Sequence, residues 1–404
     1  MTDILPILRT FRRHRTAVGI LVAEMALTTA ILCNALHMIQ DRVAVLTRPS
    51  HIDEARVAQL VFHGPAQHAQ GPKARLDADL RVLQQLPGVE RASFTTSPAY
   101  GHSMRRTSLN TEPPVNGSTD PSSITAEVLE GGAGYIETMG WRLLEGRDIQ
   151  AADQPAGENA KLPEVWINRV LADKLAPGGA SALGKTLYDD GPRRVAGVIE
   201  HVLGTQPKGM EPEGPVIINP AGIPGGRVTY LIRAQGQDVE PVLAKAKQAL
   251  AASDPLRSVR DTFSIKSARD TYQHEDRYMV TALALVALAM LTITAFGIVG
   301  LASFWVEQRR RMIGTRRALG ATAAQIRQYF QMENLLITSL GVWLGIGGAY
   351  GINAVLMSQH EVSRLPWFYV PASALVLVVL GQIAVWPPAR QASKVPPVQA
   401  MRGA

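Results

Sequence analysis

Trp305-Val-Glu-Gln-Arg-Arg-Arg-Met-Ile-Gly-Thr-Arg-Arg-Ala-Leu-Gly-Ala-Thr322 decides the reading of this 404-residue chain. The stretch follows one long apolar run and leads into another, with five arginines among the nine residues 309–317. A basic segment between two membrane spans is expected on the cytoplasmic side, where Lys and Arg are preferentially kept. Its regular form predicts a surface for docking a partner rather than a loose connector. Met312, Ile313, Arg316 and Leu319 are expected to share one helical face. Gly320 suits a left-handed helix end, and Thr322-x-x-Gln325 has the spelling of a capping box for a new helix.

Working outward, hydropathy marks four candidate spans at about 16–39, 279–305, 333–357 and 370–386. Each approaches the ~20 residues that a helix needs to cross about 30 Å of hydrocarbon. The fourth is the shortest, and Pro387-Pro388 is expected to end it. The N-terminal tail, the 306–332 segment and the tail after Trp386 hold four, six and three Lys/Arg. Two acids, Asp3 and Glu307, stand against them, whereas the 358–369 loop has one residue of each sign. This bias predicts both termini inside and residues of about 41–278 outside. The expected fold class is therefore an α-helical membrane domain of four transmembrane helices plus a large extracytoplasmic α+β domain inserted between helices 1 and 2. The domains are set at 1–40, 41–278 and 279–404.

The bulk charge misleads without that map. The formal charge is +7 and the isoelectric point about 9.6, values that suggest nucleic acid. Residues 41–278, however, carry 27 basic and 29 acidic side chains. The excess positive charge belongs to the membrane-proximal segments, so no nucleic-acid partner is expected. Cys33 is the only cysteine and falls in the first span. The outer domain must then hold together without disulfides. The first span is read as a retained anchor, because its apolar stretch exceeds a typical signal-peptide core.

Residues 41–278 alternate strand and helix signals. A strand over 56–63, a helix over 73–86 stopped by Pro87-Gly88, and a strand over 89–94 form one unit. A strand over 228–234, a helix over 240–252 and a strand over 258–265 form another. Together they predict one discontinuous subdomain with an insertion at about 124–222, whose short strands are expected at 124–129, 165–168, 194–199 and 215–219. The Ser/Thr/Asn/Pro/Gly-rich stretch 103–122 is expected to be a mobile loop. A helix over 267–278 meets the second span with no breaker between them, which predicts an element that passes displacement along its axis.

Glu307-Gln-Arg-Arg-Arg-Met-Ile-Gly-Thr-Arg-Arg-Ala-Leu-Gly-Ala-Thr322 resembles the signature of MacB/FtsX-like permeases of ABC transporters. Glu333 matches the acidic residue that usually opens their next span, and Pro388–Arg402 is similar to their C-terminal tail. Tyr135–Arg147, Val165–Leu175, Leu183–Thr186 and Val195–Val198 are similar to the family's MacB-like periplasmic core domain. One departure is Met312, where the family usually has an acid. The resemblance implies a permease subunit that is not itself an enzyme, docked to a separate cytoplasmic ATPase. Its docking residues would be Glu307, Arg309, Arg310, Arg311, Met312, Ile313, Gly314, Arg316, Arg317, Ala318, Leu319 and Gly320. It also implies a second permease chain, same or related, an optional periplasmic adaptor, and ATP with Mg bound by the ATPase. Cargo would be a peptide, an antibiotic or a lipoprotein-like substrate, exported or extracted. The alternative is a regulatory protein relaying ATPase motion to a cell-wall enzyme without transport.

Other motifs are read down. Gly179-Ala-Ser-Ala-Leu-Gly-Lys-Thr186 matches a phosphate-binding loop in letters. That loop needs a strand before it and a helix after it, and here the order is reversed. His51, His63, His68, His102, His201 and His274 are scattered and are expected at the surface. No catalytic, cofactor or metal residues are assigned. Glu24 stands out because an ionisable group inside a span is costly, and both an interface and a snorkelling role are open.

Overall fold

The computed structural model describes residues 11, 14–63, 71–101, 104–113, 123–155, 163–189, 191–202, 214–223, 227–253, 258–360 and 363–394. The chain divides into two compact units. One comprises residues 1–47 and 275–404, and the other residues 48–274.

The 48–274 unit carries an eleven-stranded sheet with strands β1 (Val57–His63), β2 (Val89–Thr95), β3 (Arg105–Leu109), β4 (Ile124–Gly131), β5 (Leu143–Gly146), β6 (Glu164–Asn168), β7 (Thr186–Tyr188), β8 (Pro192–Ile199), β9 (Val216–Pro220), β10 (Arg227–Ala234) and β11 (Ser258–Ser264). The order is β11-β1-β10-β2-β4-β9-β6-β8-β5, with β3 on β4 and β7 on β8. The first four strands pair antiparallel throughout. Helix α2 (Gly71–Gln85) joins β1 to β2, and α5 (Glu240–Ser253) joins β10 to β11. The two strand–helix–strand segments thus interleave, each placing its strands on either side of a strand of the other.

Alternation along the strands sorts side chains onto two faces. Ala58, Leu60 and Phe62 of β1 turn toward Leu76 and Leu83 of α2 and Ala246 and Leu250 of α5. Val57 joins the opposite cluster with Trp141, Trp166 and Leu231. Val165 and Ile167 of β6 enter a third cluster with Leu171 and Leu187. The halves of the sheet meet through one β2–β4 residue pair, Thr95 with Gly131. Of two short helices, α3 (Tyr135–Met139) packs on β2 and β10 and α4 (Arg169–Leu175) packs on β6, β8 and β9. The Asp148 carboxylate caps α3 by accepting from the Ile136 and Glu137 amides at 3.3 and 2.9 Å. Burial pushes its carboxyl up from the ordinary value, while those amide hydrogen bonds oppose the rise. Nearby, Arg147 donates to Asp153 at 2.7 Å, and that bond holds the Asp153 carboxyl below its ordinary value.

One expectation fails here. Within the stretch expected to be a loop, residues 105–109 form β3, paired in register with β4; 103 and 114–122 lie outside the described residues. Leu109 is 1% exposed, so one buried anchor and a ready strand edge overrode the turn-like composition.

Among the described residues there are four long apolar helices, which lie in the other unit apart from the first ten residues of the second: α1 (Arg15–Thr47), α6 (Ile265–Gln308), α8 (Ala323–His360) and α9 (Tyr369–Ser393). The first helical signal of α6 and the second apolar run are one unbroken 44-residue helix. The stop expected at Pro387-Pro388 does not occur, because α9 continues to Ser393. Proline inside a helix removes a backbone hydrogen bond. Packing offsets that loss, since Ala389 and Ala392 are fully buried against Val306, Ile313, Ile326 and Phe330.

Several polar groups inside the bundle are paired across helices, which offsets the cost of placing them in a medium without water. Thr28 and Thr294 hydroxyls meet at 2.9 Å, and Cys33 lies 2.7 Å from the Ser373 hydroxyl. Asn34 donates to the Ala349 carbonyl at 3.0 Å, and Arg42 pairs with Asp276 at 2.6 Å. Helix α1 packs most extensively along α8, where Gly341 and Gly345 bring the backbones together. A Cβ on Gly345 would sit 2.6 Å from the Ala26 carbonyl, so only glycine permits this approach.

Candidate functional site

The basic segment folds as its local chemistry dictates. Arg309, with φ −107° and ψ 15°, breaks the helical course between Gln308 and a nine-residue helix, α7 (Arg310–Ala318). Gly320 takes φ +97°. Its amide donates to the Arg317 carbonyl at 3.1 Å, and the Ala321 amide to the Arg316 carbonyl at 3.0 Å. These two bonds make a Schellman end that satisfies carbonyls otherwise left open. Two residues on, the Thr322 amide donates to Gln325 Oε1 at 2.9 Å and the Gln325 amide to Thr322 Oγ1 at 3.3 Å. That reciprocal pair is the capping box opening α8.

The side chains divide the expected docking set. Ile313, 1% exposed, and Gly314 turn inward, Ile313 joining Val306, Ile326 and Phe330. Arg309 is also buried: its Nη1 donates to both oxygens of Glu333 at 3.0 and 2.8 Å, and its guanidinium lies over the Trp305 ring. Arg316 is half-buried over the Tyr329 ring, 5.1 Å from its centroid, and Arg317 donates to the Ser393 carbonyl at 2.8 Å. Outward lie Glu307 and Arg310, paired at 3.1 Å, with Arg311, Met312, Ala318, Leu319 and Gly320. Leu319 is 83% exposed and Met312 37%.

The expected common face therefore needs correction. At about 100° per residue, Met312, Arg316 and Leu319 cluster while Ile313 stands roughly 100° away. Arg309, Ile313 and Gly314 form the root of the segment, and its outer surface belongs to Arg310, Arg311, Met312, Ala318 and Leu319. Sequence reasoning singled out Glu333 but not its partner. The two are 24 residues apart in the chain, and no local spacing marks such a pair.

Other candidates resolve as follows. The Gly179–Thr186 stretch joins α4 to β7, so no helix N-terminus faces it to hold phosphate. Lys185 donates to the Leu175 carbonyl at 2.7 Å instead. His51 and His201, expected apart, stack with ring centroids 4.2 Å apart. Among the described residues no group of three or more His, Cys, Asp or Glu is placed to hold a metal ion. His68 and His102 lie outside the described residues. Ser363, His37 and Asp41 meet, with His37 Nε2 3.1 Å from Ser363 Oγ, yet that hydroxyl donates to Asp41 at 3.0 Å. Glu24 lies against Gly297 of α6, where an added Cβ would be 2.6 Å from Oε2.

Comparison with known proteins adds to this geometry. Residues 284–397 match the model of the FtsX-like permease C-terminal region, and residues 17–250 match that of the MacB-like periplasmic core domain. The chain is 24% identical over 331 residues to the uncharacterized ABC transporter permease YknZ of Bacillus subtilis, covering 80% of this chain and 78% of the relative. It is 27% identical over 298 residues to the macrolide export ATP-binding/permease protein MacB of Nitrobacter winogradskyi. That match covers 70% of this chain but 43% of the relative, so the chain spans less than half of that protein. A crystal structure of the extracellular domain of a YknZ transporter from Gram-positive bacteria aligns with 50% of this chain and all of that domain, at 14% identity and a TM-score of 0.31.

Proposed function

The chain belongs to the family of ABC transporter permeases that combine an FtsX-like C-terminal region with a MacB-like periplasmic core domain, and from that premise we propose that it is the membrane subunit of an assembly powered by a separate ATPase. The observation that carries the proposal is helix α7. It is capped at its end, followed at once by a second cap, and holds Arg310, Arg311, Met312 and Leu319 outward on a buried root. A nine-residue helix with outward Arg310 and Arg311, ended by an exposed Leu319, suits insertion into a groove with an acidic rim. The apolar residue supplies the anchor and the charges guide the approach.

In this reading both termini and α7 face the cytoplasm, and residues 48–274 stand outside the inner membrane. ATP and Mg are bound by the partner, whose closure presses on α7. Helix α6 carries the displacement outward along its unbroken length, and the outer unit moves a peptide, antibiotic or lipoprotein-like cargo. A second permease chain completes the membrane part, and a periplasmic adaptor is compatible with the same plan.

The test is co-purification with a co-expressed ABC ATPase from the same genome. Arg311→Glu with Leu319→Glu, both at exposed positions, is expected to reduce the captured ATPase by about tenfold or more, the scale of a buried interface anchor. Unchanged capture by the folded double variant refutes docking through α7. Arg316→Glu with Arg317→Glu is a poorer probe, because both side chains serve contacts within the bundle.

A further inference from the structure

Arg309 is the one residue between α6 and α7, so its two backbone dihedrals set the direction in which the nine residues of α7 project. A one-residue joint with a free side chain would let α7 swing. Here the side chain is held. Nη1 is shared between both oxygens of Glu333 on α8, and the guanidinium lies 5.2 Å from the Trp305 ring centroid on α6. Glu333 is 1% exposed and Arg309 9%. Three consecutive arginines occupy 309–311, yet Arg310 reaches outward to Glu307 while Arg309 turns into the bundle.

We infer that the Arg309–Glu333 pair is a hinge pin: it locks α7 in a single orientation against α6 and α8, so that force applied to the short helix moves both long helices together. An apolar pair of similar volume would hold the same helices without desolvating two charges. Such a pair tolerates sliding and rotation, because dispersion contacts have little direction. The guanidinium–carboxylate pair accepts one register and one approach, and removal of either member strands the other in a site without water. Both groups are positioning residues. The part of the inference concerning force rests on the proposed docking of an ATPase to α7; the part concerning orientation does not.

The experiment uses the full chain in nanodiscs, with spin labels at Thr315→Cys on α7 and Gln328→Cys on α8 in a Cys33→Ser background. Both labelled positions are exposed. The pinned chain is expected to give one narrow distance distribution. Glu333→Gln keeps the shape of the side chain but removes its charge, and is expected to broaden or split that distribution. The swap Arg309→Glu with Glu333→Arg is expected to restore it. A distribution equally narrow in Glu333→Gln overturns the pin, as does a folded swap variant that remains broad. The same variants are then assayed with the bound ATPase. Glu333→Gln should still capture it but lose about tenfold of the permease-dependent ATP turnover, within the usual span of coupling between sites. Full turnover in a chain with a broadened distribution overturns the force-bearing role alone. Failure of the unsubstituted chain to bind any ATPase overturns the proposed function, and the distance measurement still decides the pin.

Discussion

Replacing Gly345 with alanine is expected to loosen the membrane bundle even though alanine is the better helix former. The added Cβ would lie 2.6 Å from the Ala26 carbonyl oxygen and 3.0 Å from Thr29 Cγ2. Carbon–oxygen contacts normally settle near 3.3–3.6 Å, so α1 must back away by roughly 0.7 Å along its main line of contact with α8. Overpacking of this kind costs about 1–3 kcal/mol. Gly347, two residues along the same helix, has nothing within 4 Å of its built Cβ, and Gly347→Ala gains the same helix propensity of about 1 kcal/mol without the clash. Comparing the two variants cancels the propensity contribution and leaves the contact cost, equivalent to roughly 5- to 150-fold in the equilibrium for opening the bundle. Cys33 provides the assay, since it is the sole cysteine, is fully buried on α1, and packs beside Ala349 of α8. Its labelling by a membrane-permeant maleimide is followed while SDS is titrated into the detergent-solubilised chain. Gly345→Ala should expose the thiol at lower SDS than Gly347→Ala. Coincident midpoints would refute the claim that glycine is required by the α1–α8 contact.

Two further outcomes follow from the described contacts. Gly320→Ala forces a side chain into φ +97° and is expected to cost about 1–2 kcal/mol, visible as a lower melting temperature and faster exchange of the amides at positions 320 and 321; an unchanged exchange rate would show that the Schellman end is dispensable. The Asp153 carboxyl is held low by Arg147, so its stabilisation is complete above the ordinary carboxylate value and disappears as pH falls through the depressed one. Asp148 has the opposite sign: its carboxyl is raised by burial, and its penalty lifts on acidification. Asp153→Asn should therefore flatten the acid limb of a stability–pH curve and Asp148→Asn should steepen it, and identical limbs would contradict the directions assigned.

Much of the architecture was legible because it depends on composition and short spacing. Four apolar runs, the strand–helix–strand order on either side of the insertion, and the turn at Gly320 through Gln325 all involve groups within a few residues of one another. Expectations failed where a distant partner intervened. Residues 105–109 have loop-like chemistry but found an open edge on β4. Pro387 and Pro388 lie in a helix that continues because Ala389 and Ala392 are packed against residues from α6, α7 and α8.

The same division runs through the site. The sequence by itself determined that a capped basic helix lies within residues 306–322, between two long apolar ones, since a left-handed glycine and a capping box are local properties. It could not assign roles among the arginines, which are chemically identical and nearly adjacent. Tertiary structure decided that Arg309 pairs with Glu333, that Arg316 and Arg317 serve contacts inside the bundle, and that Arg310 and Leu319 face outward. The physical reason is that burial selects among equivalent charges by what each meets across space, and a carboxylate 24 residues away leaves no trace in local spacing.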